Sequence, residues 1–308
     1  MIFNRPDYAQ NVFNEIRKAQ PKRLFVVADG PRTPEEAIIC EETRAIINQV
    51  DWDCEVHKNY AEKNMGLKER ISSGLNWFFE NVEAGIILED DCLPHPSFFP
   101  FVTEMLERYK DDERIMMVSG DNFLLDFKSE DSYFFSRYFP IWGWATWRRA
   151  WKKYDITIPS WNKPQNKQML KDMYPQKEYM VEHMTMIFDK AYQRTLRTWD
   201  VQWLYACIMS KGFCIMPQVN LISNIGLAGT HGSGDNQNLP VSDIFQGGSL
   251  QHPRSVTQNT EYDNAFYERN FWRPKQNIIT RLRFKIIEIA VQYESLKKIY
   301  RFLLGKKK

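Results

Sequence analysis

Short apolar runs that alternate with amphipathic helical patterns are the strongest constraint on how this chain folds. Runs at 23–28, 86–88 and 115–119 have the length of buried strands, and a shorter strand is predicted at 53–57. Helical patterns fill the intervals, most clearly over 66–81, where apolar residues recur at helical spacing. Strands separated by helices of this length predict an α/β fold of Rossmann-like type, with a mostly parallel central sheet flanked by helices.

Two helix starts can also be predicted from the first 40 residues. Asp7 precedes a helical apolar pattern and is a candidate cap. Thr33, Pro34 and Glu36 form a capping box with proline at the first helical position, which predicts a helix from Pro34.

Three consecutive carboxylates, Glu89, Asp90 and Asp91, follow the apolar run that ends at Leu88. The run is apolar on both faces, which predicts a central strand, and ligands bind at the carboxyl ends of parallel strands. Crowded carboxylates at such a place raise one another's pKa unless a cation is bound. The stretch therefore predicts a Mg²⁺ or Mn²⁺ site, although a solvated acidic turn is the alternative.

The second half of the chain is less regular. The segment 139–151 places four tryptophans in a predicted loop-to-helix transition, which suits either a sugar-binding wall or a hydrophobic core. A helix is predicted over 199–210 and a strand over 213–216. The segment 223–238 is rich in Gly and Asn and predicts a polar loop.

The end of the chain is strongly basic. The 308-residue chain has a formal net charge of +2, but 276–308 contains nine Lys or Arg and two Glu, which leaves the remainder at −5. The pattern predicts a basic amphipathic helix over 275–308, which either docks on the body or lies on an anionic membrane through 279–308. We expect a main domain over 1–235, with halves near 1–120 and 121–235, and an irregular linker over 236–274.

Cysteine and histidine usage argues against disulfides and zinc. Five cysteines include no C-x-x-C pair, and five histidines show no ligand spacing, which is typical of reduced thiols in a cytoplasmic protein. The sequence contains no run of about 18 apolar residues, so no transmembrane span is predicted, and the first residues show no signal-peptide pattern. The expected location is cytoplasmic, with peripheral attachment at the inner face of the membrane, and no nucleic-acid partner is expected.

The ordered motifs of residues 2–231 resemble those of GT-A fold nucleotide-diphospho-sugar transferases. Within that fold the chain is most similar to the bacterial haemolysin-HlpA-like group and the animal N-acetylglucosaminyltransferase I enzymes. The motifs that carry the resemblance are, in chain order, FNRPDY, ADGPR, NMGLKERISSGLNWFF, ILEDDCLPHPSFFPF, FPIWGWATWRRAW, TWDVQW and GTHG. The chain departs from the family in its short first strand at Met1-Ile2-Phe3.

The resemblance implies roles for the acidic stretch and for two residues earlier in the chain. Asp91 matches the family's metal ligand, and Asp90 and Glu89 match positions that face the ribose and the donor sugar. Arg5 and Asp29 match positions that hold the nucleotide base and ribose, and their alternative role is a surface salt bridge.

Further roles follow from the later motifs. Asp200 matches the catalytic base, although an Asp at this position also suits a helix cap. Lys68 falls near the nucleotide, and Arg70 is a rival that would point elsewhere. Trp144, with the two residues before it, matches a wall beside the donor sugar, for which core packing is the alternative. His231 lies in a loop that closes over the nucleotide in the family.

The predicted function is transfer of a sugar from a nucleotide-diphospho-sugar, with a UDP-sugar favoured, to a hydroxyl of a glycan or glycolipid acceptor. The reaction would depend on Mn²⁺ or Mg²⁺ and invert the anomeric centre, in a pathway such as bacterial surface polysaccharide synthesis. Two alternatives are a sugar nucleotidyltransferase and a non-catalytic sugar-binding assembly protein. The first usually has a Gly-rich basic loop after its first strand, which FNRPDYAQ is not.

Overall fold

The computed structural model describes residues 1–226 and 239–271 of the protein. Contacts divide the chain into two units, Met1–Phe266 and Tyr267–Lys308, and the sheets and the candidate site lie within the first. Among the described residues, no helix is both long enough and apolar enough to cross a membrane. The predicted helix over 275–308 lies outside the described residues.

The described helices and strands alternate through the first half of the chain. The helices are α1 (Pro6–Ala19), α2 (Pro34–Ala45), α3 (Leu67–Asn81), α4 (Phe98–Arg108), α5 (Arg148–Trp151), α6 (Pro164–Met173), α7 (Glu178–Tyr192), α8 (Asp200–Met209) and α9 (Thr260–Asn270). The strands are β1 (Arg23–Ala28), β2 (Glu55–Tyr60), β3 (Ala84–Ile87), β4 (Cys92–Pro94), β5 (Ile115–Ser119), β6 (Tyr133–Ser136), β7 (Trp144–Trp147), β8 (Phe213–Pro217) and β9 (Ile222–Asn224).

The strands form a mixed arrangement, so the protein is an α/β protein without the predicted mostly parallel sheet. Five strands pair in the order β3-β7-β5-β8-β6, and only the β5–β8 pair among them is parallel. Strands β1 and β2 form a separate parallel pair, and β4 pairs with β9 in antiparallel fashion. The predicted mostly parallel arrangement is not found in the five-stranded sheet, because β6 and β7 run antiparallel to each of their neighbours.

Strand β3 was predicted to be central, but it lies at one end of the five-stranded sheet. Its partner β7 comes from the tryptophan-rich segment, which was predicted to be a loop leading into a helix. That segment instead forms a four-residue strand followed by the single turn of α5.

The helix starts follow the predictions more closely. Helix α2 begins at Pro34, and the Thr33 hydroxyl accepts a hydrogen bond from the Glu36 amide at 3.2 Å, as the capping box requires. Helix α1 begins two residues earlier than a cap at Asp7 predicts, with Arg5 at the N-cap and Pro6 at the first helical position. Helix α9 occupies part of 236–274, which was predicted to be irregular.

Two hydrophobic clusters support the sheets. The larger one packs α4 against the five-stranded sheet, with Phe98, Phe101 and Met105 fully buried. The smaller one lies between α1 and β1 and contains Phe13 and Val26. Strands β1 and β3 are therefore supported by two separately packed clusters.

Candidate functional site

The three carboxylates lie on the turn that joins β3 to β4. The chain leaves β3 at Ile87 and enters β4 at Cys92, whose amide donates to the Glu89 carbonyl at 3.2 Å. Asp90 is buried, and Glu89 and Asp91 are half-buried. The turn is therefore more enclosed than a solvated acidic turn would be.

Arg5, at the N-cap of α1, forms ion pairs with two of these carboxylates. Its guanidinium donates to both oxygens of Asp90, one of them at 3.3 Å from Nε, and to Oδ2 of Asp91 at 2.9 Å. The acidic turn thus holds the Arg5 side chain, and the contact of Arg5 with a nucleotide stays a prediction. Asp90 and Asp91 thus aim oxygens at one common cationic group.

Burial, together with the crowding of negative charge, raises the pKa of two carboxyls on the turn. Burial raises the pKa of Glu89 to about 7, and the negative charges of Asp91 and Asp90 add to this effect. Burial also raises the pKa of Asp90, although the Arg5 guanidinium opposes the change. One arginine therefore does not offset the charge of the three carboxylates on the turn.

Asp91 is enclosed by the segment that follows β9. Its carbonyl accepts from the Ile225 amide at 2.8 Å, and a Cβ added at Gly226 would lie 2.5 Å from its Oδ2. A side chain at position 226 would therefore shift the Asp91 carboxylate. His231 and the predicted closing loop lie within 227–238, outside the described residues.

Asp200 approaches the acidic turn from α8. It is the first residue of that helix, Trp199 is the N-cap, and the Asp200 carboxylate accepts a hydrogen bond from the Thr198 hydroxyl. Asp200 therefore does not have the capping position that was its alternative role. Its negative charge contributes to the raised pKa of Glu89, which brings α8 and the acidic turn into one electrostatic environment.

Lys68 is buried and contacts α8. The side-chain amide of Gln202 is oriented so that both of its ends have partners. The Gln202 oxygen accepts a hydrogen bond from Lys68 Nζ at 3.2 Å, and the Gln202 nitrogen donates to the Thr198 and Trp199 carbonyls at 3.0 and 3.1 Å. Lys68 thus supports the turn that carries Asp200. Arg70 points the other way, as expected, and donates to the Ala28 carbonyl at 3.1 Å.

Both carboxylate oxygens of Asp29 accept hydrogen bonds from other groups of the protein. Its two carboxylate oxygens accept four hydrogen bonds, from the amides of Gly30, Met65 and Gly66 at 2.8 to 3.0 Å and from the Asn64 side chain at 3.1 Å. Four donors fill the acceptor capacity of a carboxylate. Asp29 therefore joins β1 to the loop before α3, and its contact with a nucleotide stays a prediction.

Trp144 lies in the core and does not form a wall of a sugar site. Its side chain is 1% exposed and stacks on Trp199 with ring centroids 5.7 Å apart, and it also packs on Trp151 and Trp203. The alternative of core packing is correct for this residue. Trp142 is half-buried, so its ring is partly accessible.

Gln202 and Gly226 were missed in the sequence. Gln202 is fully buried in α8, whose other inward positions are apolar, and a lone amide in such a pattern signals a specific partner. Gly226 gave no such signal, because a glycine in a Gly- and Asn-rich stretch is ordinary.

The acidic turn suits a metal ion that is held by one or two carboxylates and completes its coordination with other ligands. Within 1–226 and 239–271, no cluster of three or more His, Cys, Asp or Glu side chains is arranged to hold a metal ion. Asp90 and Asp91 nevertheless converge on one cation, Arg5, through oxygen atoms alone. This donor set fits Mg²⁺ or Mn²⁺, which takes one or two carboxylates and completes its coordination with phosphate and water.

Comparison with known proteins adds no assignment. The chain matches no protein-family model, and no curated protein matches it.

Proposed function

We propose that the protein is a divalent-metal-dependent glycosyltransferase of GT-A type that uses a nucleotide-diphospho-sugar. The observation that carries the proposal is the convergence of Asp90 and Asp91 on a single cationic group, in the same electrostatic environment as Asp200. A metal-and-phosphate site takes one or two carboxylates, and sugar transfer to a hydroxyl needs a separate base nearby.

Asp91, with Asp90 beside it, would hold the Mg²⁺ or Mn²⁺ ion. When bound, such an ion neutralises the diphosphate of the leaving nucleotide. Arg5 already touches both carboxylates, so it would exchange Asp91 for the diphosphate when the donor binds. An arginine suits this exchange because its planar fork pairs equally well with carboxylate and phosphate oxygens.

Asp200 would accept the proton of the attacking acceptor hydroxyl. It lies at the start of α8, where helix geometry directs a carboxylate away from the helix body, and its pairing with Thr198 fixes its orientation. Gln202 would act on it indirectly, because its amide nitrogen donates to the carbonyls of Thr198 and Trp199, and Lys68 would hold Gln202 in place by donating to its amide oxygen. A single displacement with this base would invert the anomeric centre.

The test is a screen of nucleotide sugars for hydrolysis and for nucleotide binding, with Mn²⁺ or with a chelator. Asp91→Ala should abolish the metal-dependent part of both signals. Asp200→Asn should retain nucleotide binding and lower turnover by about 10²- to 10⁴-fold, which is the usual contribution of a general base. Asp53→Ala, at an exposed carboxylate before β2, is the matched control.

Two outcomes of this screen would contradict the proposed glycosyltransferase activity. If no nucleotide sugar is bound or hydrolysed with any divalent metal, the proposal is wrong. If the protein instead forms pyrophosphate from a nucleoside triphosphate and a sugar phosphate, it is a nucleotidyltransferase.

A further inference from the structure

Residues 152–199 carry an excess of positive charge within an otherwise acidic body. They contain nine Lys or Arg and five Asp or Glu, a net charge of +4. Residues 1–151 contain 18 Lys or Arg and 26 Asp or Glu, a net charge of −8, and residues 200–271 contain three and six, a net charge of −3. The basic stretch includes α6 and α7 and ends directly before Asp200, so it is adjacent in the chain to the proposed base.

Three lysines lie on one flank of α6. Lys163 is the N-cap, and Lys167 and Lys171 follow at intervals of four residues, which places all three on one side of the helix over about 12 Å. The neighbouring flank faces α8, because the Asn166 side chain donates to the Tyr205 hydroxyl at 3.2 Å. The lysine flank is therefore separate from the face that packs on α8, and Lys163 and Lys171 are exposed.

Lys167 connects this flank to the carboxyl end of α7. Its Nζ donates to Asp189 Oδ1 at 3.1 Å, and the same oxygen accepts from the Trp161 indole at 2.8 Å. Asp189 is therefore already paired within the protein. Lys190, the next residue of α7, is exposed and continues the positive charge beyond this pair.

Two arginines extend the positive charge from α7 to α8. A tight turn follows α7, in which the Thr195 amide donates to the Lys190 carbonyl at 3.0 Å. Arg194 and Arg197 are exposed, and Asp200 begins α8 three residues after Arg197. Three residues span at most about 11 Å. A ligand that carries an anionic group near its reacting hydroxyl could therefore contact both Arg197 and Asp200.

The cations just described form a continuous surface, which we call the basic band. Five of its six members have no ion pair among the described residues, and the sixth, Lys167, is paired with Asp189. A group of unpaired cations on one surface attracts an anionic chain more strongly than isolated surface charges do. The members of the basic band are Lys163, Lys167, Lys171, Lys190, Arg194 and Arg197.

The basic band lacks the apolar side chains that a membrane-bound helix inserts into lipid. Helices on a membrane surface bury a face rich in Trp, Phe or Leu. The exposed large apolar side chains of 152–199 are Tyr179 and Tyr192, and both belong to α7. On α6, Leu170 is fully buried within the protein. The band therefore suits a soluble anionic chain better than a lipid bilayer.

We propose that the basic band binds an anionic acceptor glycan, whose negative groups are carboxylates or phosphates, and leads its reacting hydroxyl to Asp200. The inference rests on the proposed glycosyltransferase function and names the class of acceptor, which that function leaves open. The acidic turn repels the same negative groups. The anionic part of the acceptor would therefore lie on the band, and only the hydroxyl would enter the site.

The experiment compares two triple variants of the whole chain that lose the same charge. All six positions are exposed and have no ion pair among the described residues. Both variants keep the nine Lys or Arg of 276–308, so any binding by that segment is common to them. The band variant is Lys163→Gln, Lys190→Gln and Arg197→Gln, and the control variant is Lys22→Gln, Lys128→Gln and Arg254→Gln.

The probes are fluorescently labelled oligogalacturonate, whose charges are carboxylates, and linear polyphosphate, whose charges are phosphates. The unmodified protein should bind at least one of them, and salt should weaken the binding. The band variant should bind that probe about tenfold more weakly, as expected for the loss of three exposed ion pairs, and the control variant should match the unmodified protein within about twofold. Hydrolysis of the nucleotide sugar should be unchanged in the band variant.

Equal affinity of the band and control variants for both probes would overturn the inference, and so would the absence of binding of either probe by the unmodified protein. If the band substitutions weaken binding to phosphatidylglycerol vesicles but to neither polymer, the partner is a membrane and the inference is wrong. Failure of the proposed function is a separate result, because it appears as the absence of nucleotide-sugar binding and hydrolysis by the unmodified protein.

Discussion

Replacing Asp29 by Asn tests whether this carboxylate supports the fold or contacts a nucleotide. In the structure its two oxygens accept four hydrogen bonds, three of them from the loop 64–66 before α3. Asparagine keeps the shape and one acceptor oxygen, but it turns the other acceptor into a donor. Two of the four N–H groups then lose their partner and face an NH₂ group.

The size of the effect follows from these contacts. A hydrogen bond to a charged group contributes about 1.5 to 3 kcal/mol, so two lost bonds would cost about 3 to 6 kcal/mol. The loop is partly exposed at Asn64 and Gly66 and exposed at Met65, so water can replace part of the loss. We expect Asp29→Asn to lower the free energy of unfolding by about 2 to 4 kcal/mol.

Urea denaturation followed by tryptophan fluorescence measures this change, since the chain contains ten tryptophans. Asp53→Asn, at an exposed position, is the matched control and should change stability by less than about 0.5 kcal/mol. If Asp29→Asn behaves like the control, the support role is refuted. Loss of nucleotide binding at unchanged stability would favour the direct contact that the family resemblance implies.

Three further substitutions or reactions test other parts of the structure. Gly226→Ala should lower metal-dependent turnover by about tenfold or more, because the added Cβ would lie 2.5 Å from the Asp91 carboxylate. The control Gly248→Ala, whose added Cβ has no atom nearer than 3.7 Å, should leave turnover unchanged, and equal turnover of the two variants would contradict the close approach at Gly226. Trp144→Ala should lower the free energy of unfolding by about 3 to 5 kcal/mol in urea, and a loss under about 1 kcal/mol would be incompatible with its place in the tryptophan cluster. Of the five thiols, only the half-buried Cys54 should react with a thiol reagent in the native protein at pH 8, because the other four are buried and burial raises the pKa of each of them. Rapid reaction of a second thiol would argue against this burial.

Helices were easier to predict from this sequence than strand pairing. The pattern over 66–81 and the capping box at Thr33 both depend on neighbours within one or two turns, so local sequence determines them. The direction of β7 does not depend on local sequence. It follows from where Trp144 and Trp147 find partners on β3 and β5, and a tryptophan-rich run without alternation carries no signal for that.

The candidate site shows the same limit. Three adjacent carboxylates after a strand were sufficient to locate the acidic turn. The partner of Asp90 is Arg5, 85 residues earlier, and no spacing rule predicts such a pair. The family resemblance placed Arg5 and Asp29 together at the nucleotide, whereas their contacts in the structure separate them into an ion pair at the turn and a support of the loop before α3.

The charges at the turn argue for an order of events in the proposed reaction. Glu89, Asp90, Asp91 and Asp200 bring four carboxyls into one region, and Arg5 forms ion pairs with two of them. A nucleoside diphosphate is itself an anion, and like charges at close range in a partly buried site repel by several kcal/mol. It therefore cannot approach the turn favourably until a cation has bound there. A divalent ion on Asp91 would remove the need for Arg5 at that oxygen, so the same binding event that cancels the repulsion also releases a guanidinium toward the incoming phosphates.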